Sequence, residues 1–359
     1  MTKMILQTNI RFPNCEELLG FVKLKNGSFI LFTKYLAFLF NKNLSFQKLN
    51  IKIDDDDENY YKNSIKSVKQ LKNGKILICS NYLYIFTMKS KEINTEKIAM
   101  LNAENYEKIL DVVELRDGTI IGISNKSLYK ITIKDDKNEI SQIYKIPKDW
   151  LVSWENEIDY NGYLDIYELK DNKLLIHSHS YCSSKKCRNR STLIQSESKI
   201  FIINLSNFEV IYFEKFHNIA NIIVLKDYIA INHSNSIFIY DINNYKILQK
   251  ISSEITYIDK YNDNTLISLN DYVIILYDIS DINNIKFCKL ENDSKNILYS
   301  RSKTSLHKLN ERCILTISRD MKIFKIVDQF NYQLLLLCDN TNNNNDKKKN
   351  RLRRIIKGK

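Results

Sequence analysis

The sequence shows no pattern typical of segments that direct proteins into or across membranes. Its longest apolar stretch, residues 29–40, is interrupted by Thr33 and Lys34 and is too short to span a bilayer. The first residues, MTKMILQTNIRF, have no apolar core of the kind found in secretory signals. The seven cysteines are odd in number and mostly scattered, which does not favour a disulfide framework. We therefore expect an intracellular protein, cytoplasmic or nuclear, with reduced thiols.

Recognisable catalytic motifs are also missing. The chain has no Gly-rich phosphate loop, no paired acid motif and no nucleophile elbow. His217, His233 and His307 lie at the ends of predicted strands, with no Ser, Cys or Asp partner in a motif context. We therefore predict that the protein is not an enzyme.

Glycine (7) and proline (2) are scarce, which is unusual for a chain rich in the strand formers Tyr, Phe and Ile. Asn and Asp are abundant and tolerate the left-handed backbone conformation, so we expect them to replace glycine at many turns. Helical periodicity is nearly absent. These features together favour an all-β fold.

A short hairpin pattern recurs seven times along the chain. Each copy has spaced apolar residues, a polar turn and a second apolar run. Asn-Gly or Asp-Gly forms the turn at Gly27, Gly74 and Gly118, and such dipeptides are strong hairpin signals because their residues adopt positive φ. The copies are VKLKNGSFILF from Val22, VKQLKNGKILICS from Val68, VVELRDGTIIGIS from Val112, IYELKDNKLLIHS from Ile166, IIVLKDYIAINHS from Ile222, IDKYNDNTLISLN from Ile258 and LHKLNERCILTIS from Leu306.

A third strand and usually a fourth, more variable one follow each hairpin. Four antiparallel strands in repeats of roughly 40–50 residues are typical of the blades of a β-propeller. Stacked hairpins in a sandwich or an open solenoid are the alternative. We predict a single β-propeller over residues 1–340, with seven blades of four antiparallel strands and an insertion near residues 179–197 in the fourth. Residues 341–359 are predicted to be a disordered tail.

Three short motifs give the chain a family resemblance. Tyr240-Asp241 and Tyr277-Asp278 stand at the place of the Trp-Asp pair of WD40 repeats, and Ser318-Arg319-Asp320 is similar to the Ser-x-Asp turn of that family. The units resemble divergent WD40 repeats over about residues 15–338. The resemblance implies a propeller that serves as a scaffold for other proteins.

Two segments compete for the outer strand of the last blade. Residues 3–12, KMILQTNIRF, would join the two ends of the chain there, whereas residues 332–338 offer a strand from the C-terminal side. The sequence leaves both possibilities open. Whichever segment remains unpaired would be exposed to edge association.

Two histidines and two cysteines cluster where the predicted insertion begins. His177, His179, Cys182 and Cys187 offer the donor set of a tetrahedral structural zinc site. The two histidines share one face only if the strand continues through them. The alternative is a polar loop with incidental thiols and no cofactor.

Two further features are candidates for binding partner proteins. The loop SSKKCRNRS is basic and projects from the scaffold, which is where binding residues tend to lie. The two tryptophans flank the join between the third and fourth units and form either an aromatic contact patch or part of the buried core. The candidate residues are Lys185, Lys186, Arg188, Arg190, Trp150 and Trp154.

The C-terminal tail carries much of the excess positive charge. Eight of the 54 Lys and Arg residues and only one acidic residue follow position 345, within a formal net charge of +12. Such a segment binds an import receptor, RNA or an anionic membrane, or only improves solubility. The basic residues singled out are Lys347, Lys348, Lys349, Arg351, Arg353 and Arg354.

These observations favour a non-catalytic propeller scaffold that holds protein partners within a larger assembly. A rigid ring with many loops suits docking without any reactive group, although this inference rests partly on the fold alone. The alternative is an RNA- or ribonucleoprotein-associated propeller anchored by its basic tail.

Overall fold

β-Strands account for nearly all of the regular structure in the computed structural model. The structure describes residues 2–11, 18–24, 27–33, 37–41, 45–49, 65–80, 83–89, 92–99, 107–133, 138–151, 162–180, 197–217, 219–252, 255–270, 273–292, 305–310, 313–317 and 320–328. Within these ranges one short 3-10 helix, Lys148–Trp150, interrupts the strands. No helix within these ranges is long and apolar enough to span a membrane.

The strands follow one another along the chain in sequence order. The first thirteen are β1 (Thr2–Arg11), β2 (Leu18–Lys23), β3 (Phe29–Thr33), β4 (Ala37–Phe40), β5 (Phe46–Leu49), β6 (Ser67–Gln70), β7 (Ile76–Cys79), β8 (Leu83–Lys89), β9 (Glu92–Ala99), β10 (Ile109–Glu114), β11 (Ile120–Ser124), β12 (Ser127–Ile133) and β13 (Asn138–Lys145). The remainder are β14 (Gly162–Glu168), β15 (Lys173–Ser180), β16 (Glu197–Asn204), β17 (Val210–His217), β18 (Ile219–Val224), β19 (Tyr228–His233), β20 (Ser236–Asp241), β21 (Ile247–Ser252), β22 (Ile255–Asn262), β23 (Thr265–Asn270), β24 (Val273–Asp278), β25 (Lys286–Asn292), β26 (Ser305–Asn310), β27 (Cys313–Ile317) and β28 (Asp320–Asp328).

The chain divides into two compact units. The larger unit is Pro13–Ser253, and the smaller unit combines Met1–Phe12 with Glu254–Lys359. The larger unit contains five four-stranded antiparallel sheets, β2–β5, β6–β9, β10–β13, β14–β17 and β18–β21, which we call blades 1 to 5. The smaller unit contains one eight-stranded sheet in the order β22-β23-β24-β25-β1-β28-β27-β26.

The strands therefore form six sheets rather than seven separate ones. The sixth and seventh repeats share one sheet because β1 pairs antiparallel with β28 and, at Lys3 and Met4, parallel with β25. The prediction of seven separate blades is wrong in this respect. The all-β propeller fold with four-stranded antiparallel blades is confirmed.

The pairing of β1 decides between the two candidate outer strands. Its register with β28 runs from Thr2 opposite Asp328 to Arg11 opposite Asp320. The N-terminal segment therefore completes the set β26-β27-β28, as one of the two predicted alternatives requires. Residues 332–338 lie outside the described residues.

The core of the larger unit lies between successive blades. One cluster joins blades 3 and 4 and includes Ile123, Trp150 and Ile166, and similar clusters join blades 1 and 2, blades 2 and 3, and blades 4 and 5. The second strands β3, β7 and β11 are buried at every residue, whereas the fourth strands β5, β17 and β21 are mostly exposed. Each blade thus buries its apolar faces against a neighbouring blade.

The predicted turn residues adopt the expected backbone conformation. Gly27, Gly74 and Gly118 have φ of 81°, 89° and 88°. At the hairpin turn of blade 4, which has no glycine, Asp171 and Asn172 take φ of 59° and 55°. Asn and Asp therefore replace glycine at this turn, as the composition predicted.

Candidate functional site

Strand β15 continues through the two histidines that precede the insertion. It pairs with β14 in regular register, so that His177 lies directly opposite Asp165. Residues two apart on a strand share a face, and directly opposite residues of paired strands do so as well. Asp165, His177 and His179 therefore lie on one face of blade 4. We call these three residues the Asp-His-His triad.

The polar atoms of the triad converge. Asp165 Oδ2 lies 3.0 Å from His179 Nε2 and 3.5 Å from His177 Nδ1. The two imidazole rings stack with their centroids 4.5 Å apart and their planes inclined by 17°. The side chain of His177 is 4% exposed, that of His179 is 12% exposed and that of Asp165 is 39% exposed. The triad is therefore buried on its histidine side and open to solvent at Asp165.

The environment of the triad shifts two pKa values. Burial acts to raise the pKa of Asp165, but the hydrogen bonds and charges of His177 and His179 outweigh it and hold that pKa well below its usual range. Burial lowers the pKa of His177, against the opposing effect of Asp165. At neutral pH Asp165 is therefore ionised and the His177 ring is neutral.

A second polar group joins the first strands of blades 2, 3 and 4. Asp111 is 2% exposed and accepts hydrogen bonds from Ser67 Oγ at 2.6 Å and from the backbone N–H of Ile166 at 3.1 Å. Lys69 Nζ lies 3.5 Å from Asp111 Oδ1. Burial raises the pKa of Asp111, an effect that the charge of Lys69 partly offsets, and the charge of Asp111 in turn raises the pKa of Lys69. This group links three blades through one carboxylate.

Asp111 and Asp165 occupy the same position in two successive repeats. Each lies four residues before the leucine that opens the hairpin turn, and Ser67 holds that position in blade 2. The repeat therefore places a polar residue at this point of three successive first strands. In blade 3 the carboxylate bonds to the edge of the next blade, whereas in blade 4 it faces two histidines of its own blade.

Two residues of the predicted zinc site, His177 and His179, lie in a described strand, and the zinc site itself stays a prediction. The strand does continue through His177 and His179, which was the condition for them to share a face. Together with Asp165 they form a group whose candidate ligand atoms all lie within 4.8 Å of one another. Cys182 and Cys187 lie outside the described residues, so their part in the site stays a prediction.

Trp150 is buried and does not belong to an exposed contact patch. It is 5% exposed and stacks on Phe201 with the ring centroids 4.5 Å apart. Tyr144 also packs against it, at 5.9 Å between centroids. The predicted role of Trp150 in partner binding is therefore wrong, because its ring fills the core between blades 3 and 4, as the alternative held.

The other predicted binding residues fall outside the described part of the chain. They are Trp154, Lys185, Lys186, Arg188 and Arg190 in the insertion region and Lys347, Lys348, Lys349, Arg351, Arg353 and Arg354 in the tail. Their roles toward protein, RNA or an import receptor stay predictions.

Sequence reasoning missed the carboxylates Asp111 and Asp165. Their neighbours in the structure come from other strands, and the partner of a strand residue depends on the register, which the sequence does not state. One signal was available, because both residues stand four positions before the turn leucine in the aligned repeats.

Exposed apolar side chains mark the outer strands of blades 4 and 5. On β17, Val210, Ile211 and Phe213 are 40%, 42% and 45% exposed, and on β21, Ile247 and Leu248 are 53% and 42% exposed. Both strands lie at the ends of their sheets, so each has one edge that pairs with no described strand. We call these five residues the outer-strand surface.

Structure comparison places the fold among known propellers. The chain has a WD40-like propeller fold. A WD40 domain, that of Pan2 from Neurospora crassa, matches with a TM-score of 0.59 at 8% identity, covering 91% of this chain and 96% of that one. Consistent with this likeness, Tyr240-Asp241 and Tyr277-Asp278 end the third strands β20 and β24, and both tyrosines are buried.

An enzyme shares the same architecture. Virginiamycin B lyase from Staphylococcus aureus matches with a TM-score of 0.56 at 11% identity, covering 91% of this chain and all of that one. At such low identity both matches show the fold alone, and the fold occurs in a lyase as well as in a WD40 domain. No protein-family model and no curated protein sequence matches the chain.

Proposed function

We propose that the protein is a non-catalytic propeller scaffold that binds protein partners within a larger assembly, with the outer-strand surface of blades 4 and 5 as its main docking surface. The observation that carries the proposal is the exposure of apolar side chains along two outer strands of neighbouring blades. Exposed apolar surface of this kind marks sites of protein interaction.

The free edge of β17 favours one type of partner. An edge strand has unpaired backbone N–H and C=O groups, and an extended segment of another protein can add to it as a further strand. The exposed side chains of Val210 and Ile211 would then contact side chains of the added strand. Main-chain hydrogen bonds supply affinity in this mode, and the flanking side chains supply selectivity.

The environment of Cys79 excludes a catalytic role for that thiol. Cys79 is fully buried in the core between blades 2 and 3, next to Ser67. Burial raises the pKa of the Cys79 thiol, so the reactive thiolate is not formed at neutral pH. This thiol is therefore a core residue and not a nucleophile.

Recovery of partners from the native cell tests the proposal. The double variant Ile211→Glu with Ile247→Glu adds two charges at side chains that are 42% and 53% exposed. Phe287→Glu is the matched control, because that side chain is 63% exposed but lies on β25, in a different sheet. We expect a defined set of partners with the wild-type protein and with the control, and loss of that set with the double variant.

Circular dichroism must first show that both variants fold like the wild type. Recovery of the same partners by the double variant, or of none by the wild type, would contradict the proposal. Self-association that the double variant abolishes would show instead that the surface joins two copies of this chain.

A further inference from the structure

The donor set of the Asp-His-His triad is that of a transition-metal site. Two imidazoles and one carboxylate bind Zn²⁺ in many proteins, with the remaining position taken by water. Ca²⁺ and Mg²⁺ prefer oxygen ligands, so two imidazoles disfavour them. The donors come from paired strands in regular register, which holds their backbone positions rigidly.

Two of the donor distances fit the ion. Zinc bonds of about 2.0–2.1 Å in tetrahedral geometry place neighbouring ligand atoms roughly 3.3 Å apart. Asp165 Oδ2 lies 3.0 Å from His179 Nε2 and 3.5 Å from His177 Nδ1, on either side of that value. The two imidazole donor atoms lie within 4.8 Å of each other, so the rings must rearrange for all three atoms to bind one ion.

Hydrogen bonding within the protein does not fully account for the buried ring of His177. Its Nε2 atom is buried and has no hydrogen-bond partner among the described residues. Zinc bound at Nδ1 would leave Nε2 as an N–H donor, so this atom does not by itself indicate an ion. The contact of Nδ1 with Asp165 is also long for a hydrogen bond, at 3.5 Å.

We propose that Asp165, His177 and His179 together bind one zinc ion, whose fourth position is open to solvent on the Asp165 side. The side chain of Asp165 is 39% exposed, which gives the ion a path into the site. The bound ion would hold the ends of β14 and β15 together where the insertion leaves the blade. This site uses none of the residues of the outer-strand surface. A negative result for one proposal therefore does not contradict the other.

Zinc titration of the full chain tests the site. The purified protein is stripped with a chelator and titrated with ZnCl₂ in competition with a chromophoric chelator. We expect one zinc per chain, and we expect Asp165→Asn, His177→Gln and His179→Gln each to weaken binding by at least the roughly 10–100-fold that loss of an outer-shell contact costs. Thermal unfolding should show that zinc raises the Tm of the wild type but not of these variants.

Two matched controls separate the site from general charge effects. Glu168→Gln removes a carboxylate from the same strand β14, and His233→Gln removes a histidine from the neighbouring blade. Both should bind zinc like the wild type. Because His177 is buried, circular dichroism of the stripped variants confirms their fold, and the more exposed Asp165→Asn is decisive if His177→Gln does not fold.

Cobalt substitution distinguishes the ligand set from one that contains thiolates. Co²⁺ at the triad should show d–d absorption without a thiolate charge-transfer band, and Cys182→Ser with Cys187→Ser should leave affinity unchanged. Absence of stoichiometric zinc in the wild type overturns the proposal. So does unchanged affinity in Asp165→Asn, and so does loss of zinc only in the double cysteine variant.

Discussion

The Oδ2 atom of Asp111 accepts a hydrogen bond from the backbone N–H of Ile166 at 3.1 Å, across the boundary between blades 3 and 4. The first strand of a blade has an edge that no strand of its own sheet covers. Asp111 satisfies one donor of that edge with a side chain from the preceding blade. The packing of successive blades therefore combines apolar clusters with a specific polar contact.

Substitution of Asp111 should destabilise the protein. Asp111→Ala leaves the N–H of Ile166, the hydroxyl of Ser67 and the ammonium of Lys69 without their shared acceptor. We expect the free energy of unfolding to fall by about 2–3 kcal/mol, because hydrogen bonds to a buried charged group are among the stronger ones. Urea unfolding followed by circular dichroism measures the change. Asp149→Ala, at an exposed position, is the control, and an equal loss in both variants would contradict the assignment.

Substitution of either of two glycines in blade 3 should destabilise the protein, for a different reason at each position. Gly118 has φ of +88°, and a methyl group added there would meet open space, so Gly118→Ala should cost about 1–2 kcal/mol through backbone strain alone. Gly122 has no such φ, but a Cβ atom there would lie 2.8 Å from Ile131 Cδ1, so Gly122→Ala should cost about 1–3 kcal/mol through overpacking.

Asparagine variants at the same two positions distinguish backbone strain from overpacking. Gly118→Asn should recover part of the loss of Gly118→Ala, because Asn tolerates positive φ. Gly122→Asn should be worse than Gly122→Ala, because it is larger. The urea midpoints of the four variants test both explanations. If the Asn and Ala variants at either site have midpoints in the opposite order, the explanation for that site is refuted.

The buried ring of Trp150 should contribute strongly to stability. Trp150→Ala removes the stacking on Phe201 and opens a cavity between blades 3 and 4, at an expected cost of about 3–5 kcal/mol. Phe287→Ala, on a side chain that is 63% exposed, should change stability by no more than about 0.5 kcal/mol. Chemical unfolding of both variants tests this, and a small effect at Trp150 would argue for an exposed ring.

Stability should fall on mild acidification because of His233. Its ring packs against Phe216 and Phe238, and burial lowers its pKa below the usual value of about 6.5. Between the two pKa values the unfolded chain binds the proton and the folded chain does not, so stability decreases as pH falls through that window. Urea midpoints between pH 7.5 and 5.5, measured with a chelator present, should therefore change less in His233→Gln than in the wild type. A His233→Gln profile parallel to the wild type would contradict the prediction.

The features that the sequence predicted correctly are those with local causes. Asp117-Gly118 specifies a hairpin because its backbone preference acts within four residues, and recurrence of that pattern indicates blades. The pairing of β1 with β28 and β25 has no local signal, which is why two outer strands remained possible and the joined sheet was not foreseen. The place of Asp165 beside His177 depends on strand register in the same way. For Trp150 the sequence was compatible with both a buried and an exposed ring, and only the packing against Phe201 shows that the ring is buried.

The pairing of β1 with β28 also has a consequence for how the protein is made. During translation β1 leaves the ribosome before the other described strands, and its two partner strands emerge only about 300 residues later. At roughly 5–20 residues per second, the nascent β1 therefore waits on the order of 15–60 s for them. In that interval the larger unit has already been synthesised, while an unpaired strand remains open to wrong partners. We expect chaperones that hold extended segments to engage the nascent chain at this strand.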